Sequence, residues 1–275
     1  MAHAYIFANH AENSPLAPAT WAASRKGKEI AMCEKCSLDQ LDPTAPSRRS
    51  LVLFAASALG LMLADTAGAK DTKAPPKPQN VLSPDAALKK LMGGNARYVD
   101  GTSRRHDFKH EREALVGGQN PYAAILSCAD SRIAPEYAFD SARGDLFVCR
   151  VAGNFANDDT VASMEYAVAV LGAPMILVLG HDSCGAVDAT IKSLKDDKPP
   201  PGHIPSLVAA IAPAVKASAQ QSGNALDNAI RQNVIDNVAK LKSAAPILNA
   251  AVEQNKLKVV GGIYRLATGK VDLLS

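Results

Sequence analysis

Four short segments of the chain are apolar in a way that predicts strands: residues 122–127, 146–151, 175–179 and 258–264. The first three carry apolar side chains at consecutive positions, the pattern of strands buried on both faces of a parallel sheet. Helical patterns fill the intervals. "DDTVASMEYAVAVLGA" opens on cap-type aspartates at Asp158 and Asp159 and closes at Gly172. "GAVDATIKSLK", "IPSLVAAIAPAVKASAQ" and "ALDNAIRQNVIDNVAKLKSAAPILNAAVEQN" follow, the last predicted to break before Pro246. Ahead of the first strand, Ser83 can cap a helix whose first position suits Pro84, and that helix is predicted to end near Gly93 and Gly94. The ending "GGIYRLATGKVDLL" reads as a hairpin that turns at residues 267–270. Strands alternating with helices predict an α/β fold, a mainly parallel sheet flanked by helices with an antiparallel C-terminal edge strand.

The N-terminal quarter does not share this pattern. Arg48 and Arg49 precede an apolar run over residues 51–64, shorter than the roughly 20 residues a membrane span needs. The run fits the apolar core of a signal peptide, and Ala67, Gly68 and Ala69 supply small residues for cleavage after Ala69. The segment around the arginine pair resembles a twin-arginine export signal. The expected organisation is a leader over residues 1–69, a Pro- and Lys-rich linker over 70–82 and one domain over 83–275. That organisation implies a periplasmic protein with no stable membrane span after cleavage; an uncleaved, membrane-anchored form is the alternative. Met32 is a second candidate start, and Cys33 and Cys36 have C-x-x-C spacing without a second ligand pair nearby.

Composition changes the picture little. Of 275 residues, 47% are hydrophobic and 21% charged, and a net charge of +3 without a basic stripe argues against a nucleic-acid partner. Five cysteines are too few and too unevenly spread for a disulfide scaffold.

The candidate chemistry lies where strands end. "AILSCADSR" runs from the first strand into Cys128, Asp130 and Arg132, and "PMILVLGHDSC" runs from the third into His181 and Cys184. Both groups fall just past the carboxyl ends of strands expected to be neighbours, the edge at which open α/β sheets bind ligands. Two thiols and one imidazole there make a Cys2His set, and a catalytic zinc takes three protein ligands and keeps a fourth position open.

C-A-D-S-R at 128–132 with H-x-x-C at 181–184 resembles the β-class carbonic anhydrases, and "GDLFVCRVAGN", "MEYAVAVLGA" and the terminal hairpin extend the likeness over most of the predicted domain. The resemblance implies reversible hydration of CO2 to bicarbonate, a lyase reaction, with one Zn2+ per chain held by Cys128, His181 and Cys184. It implies that Asp130 and Arg132 form a catalytic dyad, and that Gln119, Phe147, Tyr166 and Gly185 line the substrate pocket. Tyr166 would reach across a dimer interface, in a homodimer or a dimer of dimers. One departure is Ala152 in "RVAGN", where plant-type members carry a valine.

Chemistry supplies reasons for these parts. Carbon dioxide needs only a strong nucleophile at mild pH, which zinc makes from water. Two thiolates leave the metal less positive than three imidazoles do, so activity is expected to rise toward alkaline pH. Asp130 held by Arg132 stays ionised and turned from the metal; released, it can close the fourth position. A hydrolase for carbonyl sulfide or carbon disulfide is the alternative on the same scaffold. A closed structural zinc is disfavoured because it would leave Asp130 and Arg132 without a purpose. His203 is a candidate proton relay of low weight, and Cys149 reads as strand packing.

Overall fold

The structure is a computed structural model and describes residues 80–274. Chain order is α1 (Pro84–Val99), α2 (Phe108–Ala114), β1 (Ala123–Ser127), α3 (Pro135–Ala138), β2 (Leu146–Arg150), α4 (Asp158–Ala169), β3 (Met175–His181), α5 (Gly185–Asp196), α6 (Pro205–Ser218), α7 (Ala225–Ser243), α8 (Ile247–Glu253), β4 (Lys258–Tyr264) and β5 (Val271–Leu274). The sheet order is β2-β1-β3-β4-β5, with the first four strands parallel and β5 antiparallel to β4. This is the predicted α/β architecture, and its hairpin turns where expected, closed by the Arg265 N–H donating to the Lys270 carbonyl at 2.8 Å.

Every residue of β1 and β3 is buried. Their alternating side chains feed two cores. Ala124, Leu126, Ile176 and Val178 face a layer built from α4 to α8, while Ala123, Ile125, Met175, Leu177 and Leu179 face α1 and α3. Each large aliphatic side chain so buried contributes about 1.5–3 kcal/mol, which fixes these two strands as the rigid centre. β2 departs from expectation. It has a neighbour on one side only and is half-buried, because the strand order leaves it at the edge.

Helix α1 also departs from expectation, running through Gly93 and Gly94 to Val99. Ser83 Oγ accepts from the Ala86 N–H at 3.3 Å and Pro84 takes the first position, as predicted. The helix continues because Gly94 is a contact surface: a Cβ there would lie 1.8 Å from the Phe139 carbonyl oxygen. One residue on, buried Asn95 donates to the Ala138 and Gly269 carbonyls at 2.9 and 2.8 Å and accepts from the Val271 N–H at 2.9 Å. These bonds offset the roughly 1 kcal/mol that a helical glycine costs.

α4 is capped by Asn157, not by an aspartate. The Thr160 N–H donates to Asn157 Oδ1 at 2.9 Å, and Thr160 Oγ1 accepts from the Asn157 N–H at 2.7 Å. Asp158 and Asp159 occupy the first turn, where negative charge suits the helix dipole. The long C-terminal helical segment breaks before Pro246 into α7 and α8, as predicted. The short helices α2 and α3 were not anticipated.

Candidate metal centre and catalytic dyad

Strand register builds the site. Ser127, the last residue of β1, pairs with Leu179 of β3, so Cys128 emerges beside the end of β3, which extends to His181. β3 is two residues longer than predicted because β4 continues the ladder, pairing Gly180 with Ile263 and His181 with Tyr264. Three residues after His181, Cys184 caps α5. Between them Ser183 adopts a left-handed φ of 54°, unusual for a residue with a Cβ.

The ligand atoms of Cys128, His181 and Cys184 lie within 4.8 Å of one another, and all three residues are buried. They are the one His/Cys/Asp/Glu cluster of this kind among the described residues. The two sulfurs are 4.0 Å apart, close to the roughly 3.8 Å that two 2.3 Å zinc–sulfur bonds subtend at a tetrahedral angle. His181 Nδ1 lies 2.8 Å from the Asp182 carbonyl oxygen, which can only accept, so Nδ1 carries the proton and Nε2 presents its lone pair. Nε2 is buried and makes no hydrogen bond. Asp182 is held in turn: its N–H donates to the Tyr264 carbonyl at 3.2 Å, and its Oδ1 accepts from the Leu266 N–H at 3.1 Å.

Electrostatics agree with a cation site. The Cys184 thiol and the Gly153 N–H, both in contact with the Cys128 sulfur, and the neighbouring His181 imidazole lower the Cys128 thiol, against its burial. Cys184 is pushed the other way, first by its hydrogen bond to Cys128, then by burial and by the charge on Cys128. Two sulfurs this close resist ionising together until a cation lies between them. Burial pulls His181 down, and the Cys128 sulfur outweighs it, so the imidazole is raised. An imidazole lone pair without a partner and two adjacent thiols fit a zinc ion by donor type and by geometry.

Asp130 and Arg132 form the expected pair. Arg132 Nε donates to Asp130 Oδ1 at 2.9 Å, Nη2 to Oδ2 at 2.6 Å, and the Arg132 backbone N–H to Oδ1 at 2.9 Å. The guanidinium holds the Asp130 carboxyl well below the usual carboxylate range. Asp130 Oδ2 is 3.8 Å from His181 Nε2, so the dyad borders the ligand cluster.

The other predicted residues are more dispersed. Gln119 is exposed in the loop before β1. Phe147 of β2 and Tyr166 of α4 have ring centroids 6.3 Å apart within one chain, with Tyr166 48% exposed. Gly185 opens α5 directly after Cys184. Cys149 is half-buried on β2, outside the ligand cluster and raised by burial; His203 is exposed between α5 and α6. Residues 1–69, with Cys33, Cys36, Arg48 and Arg49, lie outside the described residues, as does most of the linker.

Arg150 escaped the sequence reading. Its Nε donates to the Cys128 carbonyl at 3.1 Å and its Nη2 to the Asp130 carbonyl at 2.7 Å, tying the ligand loop to β2. Its signal was a charge closing an apolar strand.

A family model described as carbonic anhydrase matches residues 123–271. A carbonic anhydrase of Mycolicibacterium smegmatis is 38% identical over 194 residues, which cover 70% of this chain and 94% of the relative. Carbonic anhydrase 2 of Mycobacterium tuberculosis is 38% identical over 192 residues, with 70% and 93% covered. Among solved structures, the β-carbonic anhydrase CcaA is similar at TM-score 0.53 and 26% identity, covering 68% of this chain and 95% of that one. The Coccomyxa β-carbonic anhydrase in complex with acetazolamide is similar at TM-score 0.54 and 29% identity, covering 68% and 86%. With a matched family model over most of its sheet, relatives aligned over nearly their whole length and a Cys–His–Cys cluster at the sheet edge, this chain belongs to the β-class carbonic anhydrase family.

Proposed function

We propose that the protein interconverts CO2 and bicarbonate at a zinc ion held by Cys128, His181 and Cys184. The observation that carries this reading is the partnerless Nε2 of His181 clustered with two buried thiols beside the Asp130–Arg132 pair. When bound, zinc supplies Lewis acidity, making a nucleophile from water at mild pH. The chain's own residues do the rest. Asp130, kept ionised by Arg132, accepts a hydrogen bond that orients the attacking water, and Arg132 keeps the carboxylate out of the ligand cluster. Gly185 begins α5, whose amino end favours the negative charge of bicarbonate. Gln119, Phe147 and Tyr166 form the rim against which CO2 rests.

A homodimer, single or paired, completes the pocket. Tyr166 and Val170 are 48% and 62% exposed and lie four residues apart at the end of α4, an apolar surface suited to a second copy. Mixed dimers of Tyr166→Phe with a Cys184→Ser chain test the sharing. Activity that follows only the intact zinc-bearing chain contradicts it.

Residues 1–69 direct export to the periplasm by a twin-arginine route. The arginine pair, the short apolar run and the small residues at 67–69 support this reading. Among the described residues, no helix is long and apolar enough to cross a membrane. Export before oxidation of Cys128 and Cys184 requires a folded, metal-loaded chain. Arg48→Lys with Arg49→Lys is expected to leave an uncleaved precursor in the cytoplasm, read by fractionation and N-terminal sequencing; unimpaired export overturns the assignment.

Stopped-flow CO2 hydration by the zinc-loaded protein, with carbonyl sulfide as the comparison substrate, tests the reaction. Rapid hydration that is lost with the metal is the expected result. Turnover of carbonyl sulfide without CO2 hydration overturns it.

A further inference from the structure

Helix α7 carries two asparagines, Asn233 and Asn237, on its buried side, among apolar neighbours. They are 2% and 7% exposed, and every polar atom drawn into such a place needs a partner. Their partners form one connected path. Lys240 Nζ donates to the Ala156 carbonyl at 2.6 Å, and the Ala156 N–H donates to Asn237 Oδ1 at 2.7 Å. Asn237 Nδ2 donates to Asn233 O at 2.7 Å and to Asn233 Oδ1 at 3.1 Å. Asn233 Nδ2, so oriented, donates to the Gly153 carbonyl at 2.8 Å. The path ends where the Gly153 N–H donates to Cys128 Sγ at 3.3 Å.

Gly153 is the vulnerable link. It sits at φ +87°, and a Cβ would lie 2.5 Å from Ile211 Cδ1, so neither backbone nor packing admits another residue. Glycine's freedom means that nothing in its own chemistry holds the N–H toward the sulfur. The orientation must come from outside. The peptide that follows it is held at both ends, the Asn154 N–H donating to the Val151 carbonyl at 2.9 Å and the Gly153 carbonyl accepting from Asn233, which fixes the glycine from its carbonyl side.

We propose that Asn233 is a positioning residue for the metal centre: by holding the Gly153 carbonyl it keeps the Gly153 N–H aimed at Cys128 Sγ. Asn237 orients Asn233 for this task. An N–H donated to a metal-bound thiolate withdraws electron density from the sulfur and holds it at one rotamer, as outer partners of metal ligands do. The inference rests on the assignment of Cys128 as a metal ligand.

The test uses the full chain loaded with zinc, and with cobalt as a coloured substitute. Asn233→Leu keeps the volume and removes the donor, whereas Asn233→Gln keeps an amide on a longer stem. Leu241→Ala, elsewhere in the core face of α7, controls for general destabilisation. Asn233→Leu is expected to release zinc to a chelator about 10- to 100-fold faster than the parent. Its thiolate-to-cobalt charge-transfer band should move to lower energy, with Asn233→Gln intermediate and Leu241→Ala unchanged in both. Parental release and spectrum in a folded Asn233→Leu overturn the proposal, as does an equal change in Leu241→Ala. If neither Asn233 variant folds, the parent decides: loaded with an NMR-active cadmium isotope, it must show scalar coupling between the metal and the Gly153 amide proton. Absence of that coupling overturns the proposal. A parent that binds no metal instead overturns the metal-site assignment itself.

Discussion

Arg132 grips both carboxylate oxygens of Asp130, and the gripped Oδ2 stands 3.8 Å from His181 Nε2. The carboxylate is therefore beside the Cys–His–Cys cluster yet engaged at both oxygens by a guanidinium. Arg132→Ala is expected to retain zinc and to lose about 10- to 100-fold in kcat/KM for CO2 hydration. Arg132→Lys should recover little, since an ammonium cannot reproduce the two-point contact. Stopped-flow rates and metal content measured on the same preparations check this; an unchanged kcat/KM in Arg132→Ala contradicts it.

Loss of a ligand must cost more than loss of an outer partner. Cys128→Ser and Cys184→Ser are each expected to fall from one zinc per chain to substoichiometric metal, with activity reduced more than about 100-fold. Chelation of the parent should abolish activity and added zinc restore it. Elemental analysis beside the hydration assay decides, and full activity in either serine variant would falsify the ligand assignment.

Gly93 and Gly94 should answer oppositely to alanine. At Gly94 a Cβ meets the Phe139 carbonyl oxygen at 1.8 Å, so Gly94→Ala forces backbone apart and destabilises by about 1–3 kcal/mol or more. At Gly93 the nearest atom is Arg97 Nη1 at 3.9 Å, and Gly93→Ala gains up to about 1 kcal/mol of helix propensity. Thermal melts of both variants give the signs directly.

Asp140 stabilises the fold in a pH-dependent way. It is 6% exposed, with Arg97 Nε at 2.5 Å from Oδ2, the Arg104 N–H at 2.9 Å from Oδ1 and His106 Nε2 at 3.7 Å. Burial opposes its ionisation, and the Arg97 hydrogen bond with these neighbours outweighs burial, leaving the carboxyl below its usual 3.8. A folded value lower than the unfolded one gives stability that is present above the unfolded value and lost as pH falls through the folded one. Asp140→Asn is therefore expected to cost about 1.5–3 kcal/mol near neutral pH. The gap to the parent should narrow as pH falls from about 5 through the unfolded value and on below it. Urea unfolding from neutral to acid pH tests it, and a gap independent of pH sinks the electrostatic account.

The Cys128–His181–Cys184 cluster and the Asp130–Arg132 pair were legible in the sequence because their signal is local. Cys128, Asp130 and Arg132 follow one apolar strand within five residues, and His181 and Cys184 follow another, so the polar groups announce where the strands end. The terminal hairpin and the break before Pro246 were legible for the same reason, since turn residues act on their own neighbours. Arg150 was not. Nothing near it in the chain reveals that its guanidinium reaches back to the carbonyls of Cys128 and Asp130.

What the sequence alone determined, then, is the set of strands, the longer helices around them and the chemical identity of the groups at the sheet edge. Periodicity and side-chain type suffice for these. Only the tertiary structure decided that β2 is an edge, that α1 runs on through Gly94 and that Asn233 reaches Gly153 beside Cys128. Each of these depends on a contact between residues far apart in the chain. Strand order, a carbonyl pressed against a glycine and a buried amide's partner exist only once the two sides of the sheet have been packed, because local preferences of about 1 kcal/mol yield to the larger free energy of satisfying buried groups.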